Sequence, residues 1–153
     1  LREEGSSPQG AIKAVIQEQI DYVEAYLIDE YDIFVDFDPS GMDEYWFDPD
    51  NPEDSGVVSI DNTHPPIMQL IILLHEAGHI VFRKKENKAP EHIDRETISG
   101  RMSVMHEEIM AWYEGRNLSK QLGIKIEKEM WEESYCDSLL KYIKWVLDET
   151  DKD

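Results

Sequence analysis

The chain has 153 residues, of which 41% are hydrophobic and 10% aromatic, so it can bury a hydrophobic core as one domain. Its 34 acidic and 15 basic residues give a formal net charge of −19 at pH 7, which opposes binding to nucleic-acid phosphates and anionic membranes and favours a basic partner. Because the first ten residues are polar, we expect residues 1–10 to be a flexible N-terminus, and the length of the chain predicts a single domain over residues 11–153.

The sole cysteine, Cys136, excludes an internal disulfide, and no charged-then-apolar leader precedes the first predicted helix. The longest apolar run, Ile67–Leu74, is far shorter than the roughly 20 residues that span a bilayer. We therefore expect a cytoplasmic protein. No histidine or basic residue flanks Cys136, so we expect a half-buried packing residue rather than a nucleophile or a metal ligand.

The first half of the chain predicts one helix and three strands. Apolar residues at three- and four-residue steps indicate an amphipathic helix over Ala11–Glu30, and Ser7-Pro8 is a sequence that can cap and start it. Aromatic and β-branched residues then predict strands at Ile33–Phe37, Glu44–Phe47 and Val57–Ile60, with turns rich in proline and glycine between them.

The second half predicts three helices. The segment His64-Pro65-Pro66 gives the first of them a sharp start, and Asn87–Asp94 is a polar connection. Helices over Ser99–Leu122 and Glu127–Leu147 follow. The predicted fold is α+β: a leading helix, a small antiparallel three-stranded sheet, then three helices.

The most informative motif is His75-Glu76-Ala77-Gly78-His79, at the end of an apolar helical run. Residues four apart lie on one helical face, so His75 and His79 can bind one zinc ion. Glu76 projects beside that face, where it can activate a zinc-bound water as a general base. The small residues Ala77 and Gly78 indicate that another segment approaches closely. The simpler alternative is an amphipathic helix whose polar end meets solvent.

A catalytic zinc site has three protein ligands, so a third ligand should follow downstream. His92, His106, Glu107 and Glu108 are candidates. On a helical wheel Glu108 lies at the centre of an apolar stripe, whereas Glu107 and His106 point towards solvent. A carboxylate on a buried stripe needs a cation, which favours Glu108 as the ligand. The alternatives are Glu107 as ligand, or a salt bridge between Glu108 and Arg101.

The combination of His75-Glu-Ala-Gly-His79 with a downstream Glu108-Ile-Met-Ala-Trp112 resembles the gluzincin metallopeptidases, in particular the ImmA/IrrE-like and phage-encoded minimal zincins. Trp112 stands where the ImmA/IrrE pattern usually has asparagine. The resemblance covers roughly Ile67 to Gly123. It implies a zincin-like fold whose metal site lies on two of the three later helices. It also implies a zinc metallopeptidase in which His75, His79 and Glu108 bind Zn²⁺ and Glu76 is the catalytic acid/base.

The resemblance also implies that an edge strand of the sheet lies along the substrate cleft, and Val57–Ile60 and Glu44–Phe47 are the candidates. A tetrahedral oxyanion would need a hydrogen-bond donor besides zinc. The available side chains are His64, His92, Tyr45, Tyr113 and Arg101. Tyr113 lies about 140° from Glu108 on the helical wheel, which counts against it.

The function that these features predict is hydrolysis of a peptide bond of an intracellular protein. Two alternatives stay open. One is a zinc-binding but inactive module that recognises another protein. The other is an acidic decoy of the DNA-mimic type, which would inhibit a basic partner through the −19 charge.

Overall fold

The computed structural model of the chain describes residues 7–86 and 93–150, with side chains up to Leu147. It confirms an α+β arrangement with a leading helix, a three-stranded sheet and three further helices. The elements are α1 (Pro8–Tyr31), β1 (Phe34–Asp38), β2 (Glu44–Trp46), β3 (Val57–Asp61), α2 (Pro66–Glu86), α3 (Ile98–Gln121) and α4 (Lys128–Thr150). The described residues form two compact units that divide within α2, after Glu76.

Helix α1 begins at Pro8, earlier than the predicted Ala11, because its start is capped. The Ser7 hydroxyl accepts a hydrogen bond from the Gly10 backbone N–H at 2.9 Å, and proline is favoured in the first helical turn because its missing N–H is not needed there. The helix ends at Tyr31, and the left-handed backbone of Asp32 (φ 55°) turns the chain so that Ile33 N–H donates to the Leu27 carbonyl at 3.2 Å.

The sheet has the strand order β1-β3-β2 and is mixed, not antiparallel throughout as predicted. Strand β3 pairs parallel with β1 and antiparallel with β2. The period-two pattern of each strand does not reveal which strands are neighbours, so the sequence could not give this order. Because β3 is central, the prediction of Val57–Ile60 as an edge strand was wrong, whereas Glu44–Trp46 does form an edge.

The chain reaches β2 from β1 by passing the carboxyl end of β3. Gly41 is required on this path, since a Cβ there would lie 2.3 Å from the backbone carbon of Ile60. Two hydrogen bonds hold the crossing segment to β3: Met42 N–H donates to Ser59 Oγ at 3.0 Å, and Asp61 N–H donates to Asp43 Oδ1 at 2.8 Å.

In the first unit the core is built from α1, one face of the sheet and the first turns of α2. Alternation along β3 buries Val58 and Ile60 and leaves their neighbours partly exposed. Burial of these apolar side chains supplies the main favourable term in folding this unit. The fully or almost fully buried side chains are Ile20, Val23, Leu27, Ile33, Val58, Ile60, Leu70, Ile71, Leu73 and Leu74.

In the second unit α3 and α4 pack together through aromatic rings. Trp112 meets Trp131 edge to face at 5.1 Å between ring centroids and meets Tyr135 at 6.0 Å. The Thr97 hydroxyl caps α3 by accepting from Gly100 N–H at 3.0 Å. Within residues 7–86 and 93–150, none of the helices has the length and apolar content needed to cross a membrane.

Cys136, on α4, is exposed, so the prediction of a half-buried packing residue was wrong. Trp131 and Tyr135 pack on Trp112 of α3, and Cys136, one residue after Tyr135, is turned about 100° away from that packed side. Residues 1–6 of the predicted flexible N-terminus, and most of the predicted connection, including His92, lie outside the described residues.

Candidate metal centre

The motif histidines lie on one face of α2, and Glu76 projects beside that face. Ligand atoms of His75, Glu76 and His79 are all within 4.8 Å of one another, a spacing that one metal ion can bridge. His75 and Glu76 are buried, and His79 is mostly buried. The four-residue spacing of the histidines on a single helix therefore produces the cluster that the sequence predicted.

Glu108 of α3 lies against His79 within the second unit. Its side chain is buried, and its Oε2 lies 3.1 Å from His79 Nε2. Two ligands that each lie roughly 2.0–2.1 Å from a tetrahedral zinc ion are about 3.3 Å apart, so this spacing suits a shared metal. The other carboxylate oxygen, Oε1, accepts a hydrogen bond from Ser138 Oγ at 3.0 Å, which holds the carboxylate in place.

Glu107 holds the opposite side of the His79 ring. Its Oε2 lies 2.9 Å from His79 Nδ1, and the carboxylate accepts hydrogen bonds from Arg83 Nη2 at 2.9 Å and Nε at 3.1 Å. When Nδ1–H donates to Glu107, Nε2 on the Glu108 side is the ring nitrogen that a metal can bind once it has lost its proton.

The prediction that Glu107 points to solvent was wrong. The helical wheel treats α3 alone, and Glu107 lies at the border of the buried stripe where α2 runs past it. Burial raises the pKa of the Glu107 carboxyl, but the hydrogen bonds and charges of His79 and Arg83 outweigh this and lower the pKa to about 2. The four-residue spacing of His79 and Arg83 was the only sequence signal for this arrangement.

Glu76 is oriented by the sheet. The Tyr45 backbone N–H of edge strand β2 donates to Glu76 Oε1 at 2.9 Å, and Glu76 Oε2 lies 3.5 Å from His75 Nε2. A carboxylate that is buried and fixed by one oxygen keeps its second oxygen near the histidine face. That is the position a general base needs relative to the metal ligands.

Gly78 explains how α2 and α3 come close enough for His79 to meet Glu108. A Cβ on Gly78 would lie 1.8 Å from the Ala111 carbonyl oxygen and 2.9 Å from Gly115 N. The backbones of the two helices are therefore in direct contact at this point. The inference from sequence that a segment approaches Gly78 closely is confirmed.

The other residues considered as metal ligands or as donors to an oxyanion lie in different surroundings. Arg101 is buried, and its Nη1 donates to the carbonyl oxygens of Arg95 at 3.2 Å and Glu96 at 2.7 Å, which gives the guanidinium partners other than the Glu108 carboxylate. Tyr113 is exposed, as its angle on the wheel predicted. His106 is exposed too, with its ring 6.1 Å from Phe82.

His64 belongs to a separate cluster at the carboxyl end of β3. Its Nε2 lies 2.7 Å from Asp43 Oδ2 and 3.9 Å from Asp61 Oδ2, a group that could also hold an ion. The three side chains are partly exposed, and their hydrogen bonds join the start of α2 to the sheet. The Tyr45 hydroxyl, another candidate, donates to the Ser55 carbonyl at 2.7 Å.

A scan against family models, a search of curated proteins and a search of solved structures each gave no match to this chain. The function must therefore be argued from the arrangement of these residues.

Proposed function

We propose that this protein is a zinc-dependent metallopeptidase that hydrolyses a peptide bond of a protein substrate. The observation that carries the proposal is the convergence on His79: its Nε2 lies 3.1 Å from Glu108, its Nδ1 is held by Glu107, and its ligand atom lies within 4.8 Å of those of His75 and Glu76. Two imidazoles and one carboxylate form a three-ligand set of the kind that catalytic zinc sites use.

The surroundings support a resident cation. Three glutamates, Glu76, Glu107 and Glu108, lie around two histidines in a mostly buried environment. The Arg83 guanidinium offsets the charge of Glu107, and buried carboxylates such as Glu76 and Glu108 favour a nearby cation. A divalent ion held by His75, His79 and Glu108 would supply that cation.

Each residue then has a role in hydrolysis. Zinc in such a site supplies Lewis-acid polarisation of a carbonyl and acidifies water. Glu76, held through Oε1 by Tyr45 N–H, accepts a proton from water through its other oxygen and later donates it to the departing amine. Glu107 fixes the His79 ring and so keeps Nε2 directed to the metal.

Zinc content tests the ligand set. We expect about one zinc per chain in the purified protein by inductively coupled plasma mass spectrometry, and a large loss in Glu108→Gln. Glu114→Gln is the matched control, because Glu114 is a buried carboxylate on the same helix that pairs with Lys85 at 2.8 Å. If Glu114→Gln lost zinc as Glu108→Gln does, zinc loss would reflect unfolding and not ligation.

Peptide cleavage tests the catalytic role. The wild-type protein and Glu76→Gln are incubated with a peptide library prepared from a cell lysate, and new termini are counted by mass spectrometry. We expect cleavage by the wild type only, because loss of a general base lowers the rate by about 10² to 10⁴ while zinc is retained. Glu129→Gln, an exposed substitution on α4, should cleave like the wild type. Zinc binding without cleavage in the wild type would favour the inactive binding module instead.

A further inference from the structure

The sheet has one face that no helix of its own unit covers. Alternation along the three strands turns Phe34, Asp36, Glu44, Trp46, Val57 and Ser59 to this side, which we call the open sheet face. The opposite side carries the buried Val58 and Ile60. The strand register arranges the six residues in two rows across the sheet.

The first row is apolar. Phe34 and Trp46 both pair with Val57, so two aromatic rings flank one valine on the central strand. Phe34 is 62% exposed and Trp46 57% exposed. Single exposed apolar residues are ordinary, but two large rings in one row form a continuous patch, and such patches mark interaction sites.

The second row is acidic. Asp36 and Glu44 both pair with Ser59, so two carboxylates flank one serine. Within the part of the chain that the structure describes, neither carboxylate has a hydrogen bond or an ion pair. The three strands contain no lysine or arginine. The open sheet face therefore combines exposed rings with uncompensated negative charge.

We propose that the open sheet face is a docking surface for an arginine-containing segment of a basic protein partner. Neighbouring strands are about 4.8 Å apart, so the two carboxylates lie roughly 10 Å apart with Ser59 between them, and the aromatic row follows about 7 Å along the strands. An arginine stem fits over Val57 between the rings of Phe34 and Trp46. Its guanidinium then lies over Ser59, within reach of Asp36 and Glu44.

The charge of the face selects this occupant over others. A second copy of the chain would bring two acidic rows together, and an anionic membrane would be repelled in the same way. An arginine-containing segment can contact both rows at once, because the apolar stem of arginine packs on the aromatic row and its guanidinium pairs with the acidic row. The face shares no residue with the proposed zinc site, so the two proposals can fail independently.

The test is an NMR titration of the ¹⁵N-labelled protein with a short, end-blocked peptide in which arginine alternates with threonine. The comparison peptide has citrulline in place of arginine, which keeps the shape and removes the charge. We expect shifts confined to β1, β2, β3 and the Trp46 indole N–H, assigned with Trp46→Phe. The citrulline peptide should bind at least about tenfold more weakly, as the loss of one charge-assisted contact predicts.

A matched pair of double variants distinguishes the contribution of this face to peptide binding from that of the overall net charge of −19. Asp36→Asn with Glu44→Gln should weaken peptide binding at least about tenfold. Glu18→Gln with Asp21→Asn makes the same chemical change on the exposed side of α1, the helix that packs on the opposite side of the sheet. It should weaken binding less than about twofold, because exposed charges away from the face are screened.

Equal weakening by both double variants, or shifts spread over the whole surface, would overturn the proposal. So would unchanged binding of the citrulline peptide. Sedimentation of the protein with anionic vesicles would assign the face to a membrane and overturn the proposal. A dimer that dissociates in Trp46→Thr would assign the face to a second copy of the chain and overturn the proposal equally. Circular dichroism of each variant checks the fold, and the indole shift in the wild type keeps the test decisive if a variant unfolds.

Discussion

Gly78→Ala perturbs the contact on which both the fold of the second unit and the proposed metal site depend. The added methyl would lie 1.8 Å from the Ala111 carbonyl oxygen, a backbone atom that cannot rotate away. A relaxed carbon–oxygen contact is about 3.3 Å or longer, so α2 and α3 must separate locally by about 1.5 Å.

The energetic result follows from two opposing terms. Alanine gains up to about 1 kcal/mol over glycine in a helix interior, whereas overpacking typically costs about 1–3 kcal/mol and more when backbone must move. We expect net destabilisation of about 1–2 kcal/mol, which lowers Tm by about 2–8 °C for a chain of this size. Thermal unfolding of the metal-free protein, followed by circular dichroism, measures it.

The same separation reaches the metal site, because Gly78 precedes His79 and Ala111 follows Glu108 by one turn. Metal–ligand distances tolerate changes of only about 0.2 Å, so zinc affinity in a chelator competition should fall more than tenfold. Gly123→Ala is the control. Its methyl would meet nothing within 4 Å, and its φ of +71° costs about 1 kcal/mol in stability without touching the site.

An unchanged zinc affinity together with a raised Tm in Gly78→Ala would refute this reasoning. That result would mean that helix propensity decides the outcome and that α2 and α3 are not in backbone contact at Gly78. Equal losses of zinc affinity in Gly78→Ala and Gly123→Ala would mean that affinity follows global stability and not the separation of the helices.

Three further predictions address single side chains. Glu107→Gln should lower zinc affinity about 10- to 100-fold in the same competition, because His79 loses its charged partner; a larger loss than in Glu108→Gln would make Glu107 the ligand. Cys136→Ser should leave zinc content unchanged, since the thiol is exposed, and loss of metal would contradict this. Burial and the nearby Asp21 raise the pKa of Glu24, so its ionised form destabilises the native state. Glu24→Gln should therefore raise the free energy of unfolding near pH 7 by no more than about 0.5 kcal/mol, measured as a slightly higher Tm. The gain should vanish below the unfolded pKa near 4.5, where the wild-type Glu24 is protonated. A gain that persists there would contradict this.

Local patterns predicted the elements well, because helices and strands have fixed periods. The Ser7 cap, the start of α2 after His64-Pro65-Pro66 and the burial of Glu108 all follow from residues close in sequence. The close approach at Gly78 was also evident, since a glycine inside a helix needs a reason.

Features that depend on distant segments were not predictable in the same way. The parallel pairing of β1 with β3 arises from the path of the chain around the end of β3, which strand periodicity does not encode. The hydrogen bond from Tyr45 N–H to Glu76 requires that β2 be an edge strand beside α2. The contact of Glu107 with His79 requires the packing of two helices, which a wheel drawn for one helix cannot show.

The most direct test of the central claim is anomalous scattering at the zinc absorption edge from a crystal grown with one equivalent of zinc. We predict one strong peak bonded to His75 Nε2, His79 Nε2 and Glu108, at about 2.0–2.2 Å from each, with a fourth position left to solvent. A peak held instead by Asp43, Asp61 and His64, which also form a candidate cluster, would contradict the claim, as would the absence of any peak.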